Sequence, residues 1–341
     1  MPKVYVVLVN WNRWKDTIEC LESVFRLRYK NFRVVVCDNS SGDNSVENIQ
    51  AWAAGKLAAG CDNPTLRSLT EPPVAKPVPT LRVAPGEQFQ LGGGNERLIL
   101  IETGNNLGFA GGNNVALRLV LETSDSEYVW LLNNDTVVDP GALDHLVETL
   151  GSEIDAGMCG STLLYYHEPE KVQALGGSVY NVWTARGGHL GEGLDRNRLP
   201  SRALVEGRLR YVVGASMLVR REFLEQVGIM NEDYFLYFEE IDWATRGRSR
   251  FRLTWSPESI VYHKEGTSIG TAQSPMARSG LSEMYATRNR VLFTRSYFFY
   301  AIPTACAAIL LSAAHRMLIG RFDSSRAIWR GLLAGLGAPS N

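Results

Sequence analysis

The apolar run Val4-Tyr5-Val6-Val7-Leu8-Val9, cut off by Asn10-Trp11-Asn12, restricts this chain more than any other feature. An unbroken, largely β-branched run of that length reads as a strand buried on both faces, and such strands belong to sheets covered by helices on either side. A second run, Phe32–Cys37, follows a stretch from Lys15 to Leu27 in which Ile18, Leu21, Val24 and Phe25 recur at helical spacing. Ser45–Ala54 reads as another helix. Strand, helix, strand, helix is the opening of a parallel α/β sheet. In such sheets ligands bind outside the carboxyl ends of the strands. Three strand ends carry polar clusters: Asn10-Trp11-Asn12, Asp38-Asn39-Ser40 and, after the run Tyr128–Leu132, Asn133-Asn134-Asp135. Parallel strands would bring all three to one edge.

Residues 55–95 interrupt the rhythm. With Pro72, Pro73, Pro77, Pro79 and Pro85, they read as an inserted surface loop. Leu98–Ile101 resumes as a strand, and Asn114–Leu121 and Asp144–Leu150 fall in helices. Further on, Tyr211–Val219 reads as a strand and Glu239–Arg246 as a short helix. Leu253–Trp255 and Ile260–Tyr262 read as strands. The almost uncharged run Tyr297–Ala314, interrupted by Pro303, is barely long enough to cross a bilayer. Arg278, Arg288, Arg290, Arg295, Arg316, Arg321, Arg326 and Arg330 surround it. That bias suits an interfacial helix pair on an anionic membrane surface. A buried core helix or a contact with a second copy of the chain are the other readings. The expected organisation is a domain of residues 1–275 and a helical extension of residues 276–341.

Composition narrows the function. Thirty-five basic and 36 acidic residues leave a formal charge of −1, without the basic excess of a general nucleic-acid binder. Cys20, Cys37, Cys61, Cys159 and Cys306 are odd in number and scattered, with no C-x-x-C pair. That fits a reducing compartment and gives no zinc signature. No secretory signal is expected, because Asn10 and Asn12 end the first apolar run early.

Several residues could carry chemistry. Asp38 could accept a hydrogen bond from the ring N–H of uracil or thymine, or cap a turn. Trp11 would pack near that base or into the core. The segment Asn105-Asn106-Leu107-Gly108-Phe109-Ala110-Gly111-Gly112-Asn113-Asn114 lies between a strand and a helix. Its glycines would let the backbone approach a phosphate at a helix N-terminus; a flexible loop with a cap is the other reading. It does not match G-x-G-x-x-G, and it does not follow the first strand, which counts against a nicotinamide-dependent dehydrogenase. Asp135 is the metal candidate, since Mg2+ or Mn2+ takes oxygen ligands and shares them with phosphate; a simple turn residue is the alternative. Phe235–Trp243 sets Glu239, Glu240 and Asp242 beside aromatics. A carboxylate in partly apolar surroundings suits a general base, and an acid-rich helix start is the other reading. His263 gains weight as a metal ligand only if it faces Asp135.

Taken in order, the segments Val7–Asn12, Asp38–Ser41, Asn105–Asn113, Asn133–Asp135, Gly214-Ala215 and Tyr237–Asp242 resemble family 2 glycosyltransferases, in particular the bacterial rhamnosyltransferase-like branch. The resemblance covers Lys3 to Arg295, and Ala327–Leu332 is similar to the tail of that branch. It implies a GT-A fold, a Rossmann-like α/β half joined to an acceptor-binding half. It further implies that Asn10, Trp11, Asn12 and Asp38 meet the base side of a nucleotide-sugar donor. Asn106, Gly108, Phe109, Gly111, Gly112, Asn113, Asn133 and Asn134 would line its sugar and diphosphate, and Gly214 and Ala215 would lie toward the acceptor. Asp135 and His263 would hold the divalent metal. Glu240 would be the base, supported by Glu239 and Asp242. The implied donor is dTDP-L-rhamnose, with a UDP-hexose as rival. The implied acceptor is a polyprenyl-diphosphate-linked sugar or a growing polysaccharide, at the cytoplasmic face of the plasma membrane. A non-catalytic nucleotide-sugar-binding protein is the reading that retention of Asp135, Glu240 and His263 together argues against. Two departures stand out: Asn-Asn-Asp replaces Asp-x-Asp, and Glu-Glu replaces the commoner Glu-Asp or Asp-Asp. The insertion at 55–95 has no counterpart in the family pattern.

Overall fold

The computed structural model describes residues 1–89, 94–123, 125–264 and 280–338. Arg278 and the expected boundary between residues 275 and 276 lie outside the described residues. The chain opens with β1 (Val4–Asn10), α1 (Trp14–Val24), β2 (Phe32–Asp38) and α2 (Ser45–Ala53), then β3 (Thr80–Val83), β4 (Leu98–Glu102), α3 (Gly108–Glu122) and β5 (Tyr128–Leu132). β6 (Thr136–Val138), α4 (Ala142–Ser152), β7 (Ala156–Tyr165), β8 (Val172–Leu175), β9 (Gly177–Asn181) and β10 (Arg186–His189) follow. Next come α5 (Arg202–Glu206), β11 (Tyr211–Val212), β12 (Ser216–Arg220), α6 (Arg221–Val227), α7 (Glu239–Gly247) and β13 (Arg252–His263). α8 (Gly280–Tyr297), α9 (Ile302–Leu318) and α10 (Phe322–Gly337) close the described chain.

The main sheet runs β3-β4-β2-β1-β5-β12-β7-β13-β6, with β8 paired to β7. Its first five strands are parallel. β12 then enters antiparallel between β5 and β7. β10, β9 and β11 form a small antiparallel sheet. The unbroken apolar run of β1 follows from two cores rather than one. Val4, Val6 and Leu8 pack toward α1 and α4, while Tyr5 and Val7 pack toward α3 and α6. Burying each such side chain contributes about 1.5–3 kcal/mol, so neither face tolerates a polar residue until the strand leaves the sheet at Asn10.

Several expectations need correction. The 55–95 insertion is not all loop, because Thr80–Val83 is the edge strand β3, parallel to β4. Its prolines hide the strand: Pro77 and Pro79 precede it, and at a sheet edge a missing N–H costs little. Tyr211–Val219 is two strands, β11 and β12, separated at Val213-Gly214-Ala215. Leu253–Trp255 and Ile260–Tyr262 are one strand, β13, whose register shifts between Ser256 and Ile260. Pro303 does not interrupt a helix. It lies in the first turn of α9, where no intrahelical N–H is lost, and the break falls earlier, at Phe298.

α8 packs against α10 and α9, with Val291, Ile309, Ala313, Ile328 and Leu332 between them. The outer faces are apolar: Phe299, Leu311, Leu318, Phe322 and Leu333 are exposed. Phe299–Leu318 is long and apolar enough to cross a membrane by length and composition, and 22% of its most apolar 18-residue window is buried.

Candidate active site

Register brings the polar strand ends together. Asn10 is the Cα partner of Asp38 across β1 and β2, and β5 runs beside β1 in parallel. Asn10 Nδ2 donates to Asp38 Oδ1 at 2.6 Å, and Asn134 Nδ2 donates to Asn10 Oδ1 at 3.3 Å. Thr17 joins the network, donating to Asn10 Oδ1 at 2.7 Å and accepting from Asn134 at 2.9 Å. Asp38 also accepts from the Ser41 backbone N–H at 2.9 Å and the Ser41 hydroxyl at 2.7 Å. Asp38 therefore caps the turn after β2. Asn12, at φ 55°, accepts from Gly42 N–H at 2.7 Å. Trp11 stands 39% exposed rather than in the core.

Asp135 and His263 do face each other. His263 is the last residue of β13, and its Nε2 lies 3.2 Å from Asp135 Oδ1. Its Nδ1 lies 2.9 Å from Gln173 Oε1, and Asn133 Nδ2 lies 3.3 Å from Nε2. With Nδ1–H donating to Gln173, the Nε2 lone pair accepts from Asn133 beside the carboxylate. An imidazole lone pair and a carboxylate oxygen side by side form a donor set suited to a small divalent ion. A separate acidic group, Asp16, Glu19 and Asp62, is already served by the ammonium of Lys264, at 2.7, 2.6 and 3.2 Å respectively.

The glycine-rich segment is a loop only as far as Leu107 and is helical from Gly108. α3 begins at Gly108, so Gly111, Gly112 and Asn113 lie in its first turns, and Asn113 Nδ2 donates to Phe109 O at 2.9 Å. Gly108 has φ +71°, and a Cβ there would lie 2.2 Å from Phe235 O. That carbonyl accepts from Phe109 N–H at 2.8 Å, which satisfies an early helix donor. Asn106 Oδ1 accepts from Gly108 N–H at 3.0 Å.

The acids sit on a strained support. Phe235, Tyr237 and Phe238 all have positive φ, at 56, 68 and 77°, which costs of order 1–3 kcal/mol each. Asn289 of α8 holds the segment, donating from Nδ2 to Tyr234 O, Leu236 O and Tyr237 O at 2.6, 2.8 and 3.0 Å. Glu239 is 2% exposed, and its Oε2 has no hydrogen-bond partner among the described residues. Burial, then the neighbouring Glu240 charge, pushes its carboxyl well above the usual range. Glu240 is partly exposed and its Oε1 accepts from Gly214 N–H at 3.1 Å. Burial raises its carboxyl too, and the Gly214 bond opposes the rise. A Cβ at Gly214 would stand 2.7 Å from Glu240 Oε1 and 2.9 Å from the Phe109 ring. Asp242 is placed differently from the glutamates. It is tied to Arg246 Nε at 2.9 Å, Tyr297 OH at 2.7 Å and Tyr234 OH at 3.3 Å.

Thr17, Gln173 and Asn289 were not singled out in the sequence, and Ser41 and Phe235 entered only as members of longer segments. Ser41 lies inside a segment already of interest, and Thr17 sits among the helical residues of α1. Gln173 is a lone polar residue within an apolar stretch and Asn289 stands between two arginines, and the partners of both lie far away in sequence.

The glycosyl transferase family 2 model matches residues 5–64 and 83–228. A low-salt glycan biosynthesis hexosyltransferase of Haloferax volcanii is 24% identical over 216 residues, 59% of this chain and 62% of that protein. An N-acetylglucosaminyl-diphospho-decaprenol L-rhamnosyltransferase of Mycobacterium tuberculosis is 24% identical over 194 residues, 50% of this chain and 60% of that protein. The match thus spans about three-fifths of the length of these two relatives. Among solved structures, a mannosyltransferase of Pyrobaculum calidifontis in complex with GDP-Man and Mn2+ superposes with a TM-score of 0.52 and 14% identity, covering 98% of this chain and 87% of that one. GalNAc-T7 with UDP, GalNAc and Mn2+ gives 0.55 and 13%, covering 87% and 48%. These likenesses show the fold. With a GT-A architecture and the family model matched over more than half its length, the chain belongs to glycosyl transferase family 2.

Proposed function

We propose that the chain is an inverting glycosyltransferase that moves a sugar from a nucleoside-diphosphate donor to a hydroxyl of a lipid-linked or polysaccharide acceptor in cell-envelope glycan synthesis. One observation carries the reading. Hydrogen bonds between neighbouring residues run from Asp38 through Asn10 to Asn134, from Asn133 N–H to Ala215 O, and from Gly214 N–H to Glu240. Base, metal and acceptor groups thus have places along a single sheet edge. Asp38 receives the pyrimidine base, and the start of α3 lies beside the donor sugar and diphosphate. Asp135 and His263 would hold a divalent ion, which when bound supplies positive charge to the departing diphosphate.

Glu240 removes the proton from the acceptor hydroxyl. The freed oxygen bonds to the anomeric carbon from the face opposite the nucleotide. The bond from that carbon to the diphosphate oxygen breaks, and its electron pair leaves with the nucleoside diphosphate. A carboxyl raised toward neutral pH is a stronger base for this step than an ordinary glutamate. Glu239 lies deeper, beside Glu240, whose charge pushes the Glu239 carboxyl further up. Asp242, through Arg246 and Tyr297, fixes the helix that carries both.

Resemblance and the mycobacterial relative favour dTDP-L-rhamnose as donor; the hexosyltransferase relative keeps a UDP-hexose as the second choice. The exposed apolar faces of α9 and α10, with Arg321, Arg326 and Arg330 beside them, favour peripheral attachment at the inner face of the plasma membrane. A thermal-shift series tests the function, using dTDP-L-rhamnose, UDP-glucose, UDP-N-acetylglucosamine and NAD, each with and without Mn2+. A donor at a hundredfold its Kd adds about 2.7 kcal/mol of stability. The expected result is stabilisation by one nucleotide sugar that grows with Mn2+. Stabilisation by NAD alone contradicts the reading.

A further inference from the structure

The strand end that carries His263 is held by residues to which the proposed reaction gives no part. His263 is the last residue of β13 and the Cα partner of Tyr165, the last residue of β7. The next residue on each strand ties this end down. Tyr166 N–H donates to His263 O at 3.0 Å, and Lys264 N–H donates to Asp135 O at 3.0 Å. The carbonyl of His263 and the amide that follows it are therefore both fixed, the second of them to Asp135 itself.

The side chains of Tyr166 and Lys264 enter one socket. The buried Lys264 ammonium lies 2.7 Å from Asp16 Oδ1 and 2.6 Å from Glu19 Oε2, both on α1. Tyr166 OH donates to the other Glu19 oxygen at 2.6 Å. Asp16 also meets Arg13 Nε at 2.8 Å. Glu19 is buried, and a buried carboxylate persists only when paired and hydrogen-bonded; Lys264 and Tyr166 supply both. The 55–95 insertion forms the outer wall. Asp62 lies 3.2 Å from the ammonium, and the N–H groups of Asp62 and Asn63 both donate to Tyr166 OH at 3.0 Å. Asn63 Nδ2 donates to Tyr166 O. Leu66 shares an apolar cluster with Val137 and Tyr262, which lie within two residues of Asp135 and His263. One turn along α1, buried Glu22 accepts from Trp52 Nε1 at 2.8 Å and Val74 N–H at 2.9 Å, and meets Lys76 at 3.2 Å. Two buried acids thus fasten the insertion to α1, and α1 accepts from Asn134 through Thr17.

We infer that Lys264 is a positioning residue for the metal site, and that residues 61–76 of the insertion are the brace that keeps its ammonium in place. The inference rests on the reading of Asp135 and His263 as the pair that holds the ion. Two ligand groups on different strands suit a small ion only while their spacing is fixed, and residues around the ligands fix it. Lys264 does so twice, through its own N–H to Asp135 and through its side chain to α1. The carboxylates around the ammonium are an anchor for that side chain, not a second ion site.

Calorimetric titration of the full chain with UDP and with dTDP at rising Mn2+, well below the thermal midpoint, tests it. The readout is the Mn2+ concentration that gives half of the metal-dependent gain in nucleotide affinity. Because nucleotide affinity is what is read, an ion taken up by bared carboxylates does not count. Lys264→Met should raise that concentration about tenfold or more and leave metal-free nucleotide affinity unaltered. Lys264→Arg, which keeps the charge, should recover part of the loss. Tyr166→Phe keeps every charge and removes only the hydroxyl that joins the insertion to Glu19. It should raise the Mn2+ requirement about threefold, the worth of one neutral hydrogen bond, and it decides the result if Lys264→Met does not fold. An unchanged Mn2+ requirement in the folded Lys264→Met chain, or in Tyr166→Phe where Lys264→Met is unfolded, overturns the inference. So does equal weakening with and without Mn2+, the mark of a merely structural role. If the wild-type chain binds nucleotide no better with Mn2+, the metal site falls and the inference with it. A wild-type gain that the variants keep defeats the inference alone.

Discussion

The two ends of the site hold their carboxylates in opposite ways. Asp38 is buried among donors: Asn10, the Ser41 N–H and the Ser41 hydroxyl all point at it. Its backbone belongs to a regular parallel strand. Glu239 is buried and Glu240 partly exposed, the Glu240 charge pressing on Glu239, on a segment where three aromatic residues adopt positive φ. The first arrangement fixes a shape before a ligand arrives. The second keeps a proton-binding group out of its comfortable range, and its strain is held in place by Asn289 and by the Phe235 carbonyl at the start of α3. Binding sites need complementarity, whereas acid–base groups need a shifted pKa; the proposed function assigns the first role to Asp38 and the second to Glu240.

Substitutions can break this contrast at each end. The largest effect is expected at the acceptor end: Glu240→Gln should cut turnover by about 10²–10⁴-fold while donor affinity, read by calorimetry, stays. Full turnover would remove Glu240 as base. Between the ends, Gln173→Leu leaves His263 without the group that orients it and should weaken Mn2+ affinity by about 10–100-fold, read as the Mn2+ concentration giving half-maximal donor binding. Asp135→Ala should abolish the Mn2+-dependent part altogether. At the donor end, Asp38→Ala should raise the donor KM by about tenfold, the value of one hydrogen bond to a charged group, with little change in turnover. A turnover loss equal to that of Glu240→Gln would erase the distinction between the ends.

The smallest effect is on stability and has the opposite sign. The folded chain holds the Glu239 proton at pH values where the unfolded chain has released it. Its stabilising contribution is therefore complete below the ordinary value of 4.5 and is lost as pH rises through the higher folded value. Glu239→Gln should raise the thermal midpoint by a few degrees at pH 8, equivalent to about 1–3 kcal/mol, and by less at pH 5. A lower midpoint at pH 8 would mean that the charge is favourably paired.

Much of the donor end was legible in the sequence because local rules produce it. Strands buried on both faces must be continuously apolar, so Asn10, Asp38 and Asn133–Asp135 stand out where they stop. The acceptor end was less legible because distant contacts build it. The start of α3 looked like a loop, since Gly108, Gly111 and Gly112 are poor helix formers; Phe235, far along the chain, supplies the carbonyl that starts the helix. Asn289 reads as an ordinary polar residue in a helix, yet its three acceptors lie more than fifty residues earlier. β3 was hidden by its prolines, and β6 to β10 are short or interrupted runs whose pairing partners no local spacing announces.

A structure of the chain with its nucleotide sugar and Mn2+ tests the central claim most directly. The account predicts the base ring against Asp38, the ion between Asp135 and His263, and the anomeric carbon open toward Glu240. A donor bound with its base away from Asp38, or with Glu240 on the far side of a wall from the sugar, would contradict it.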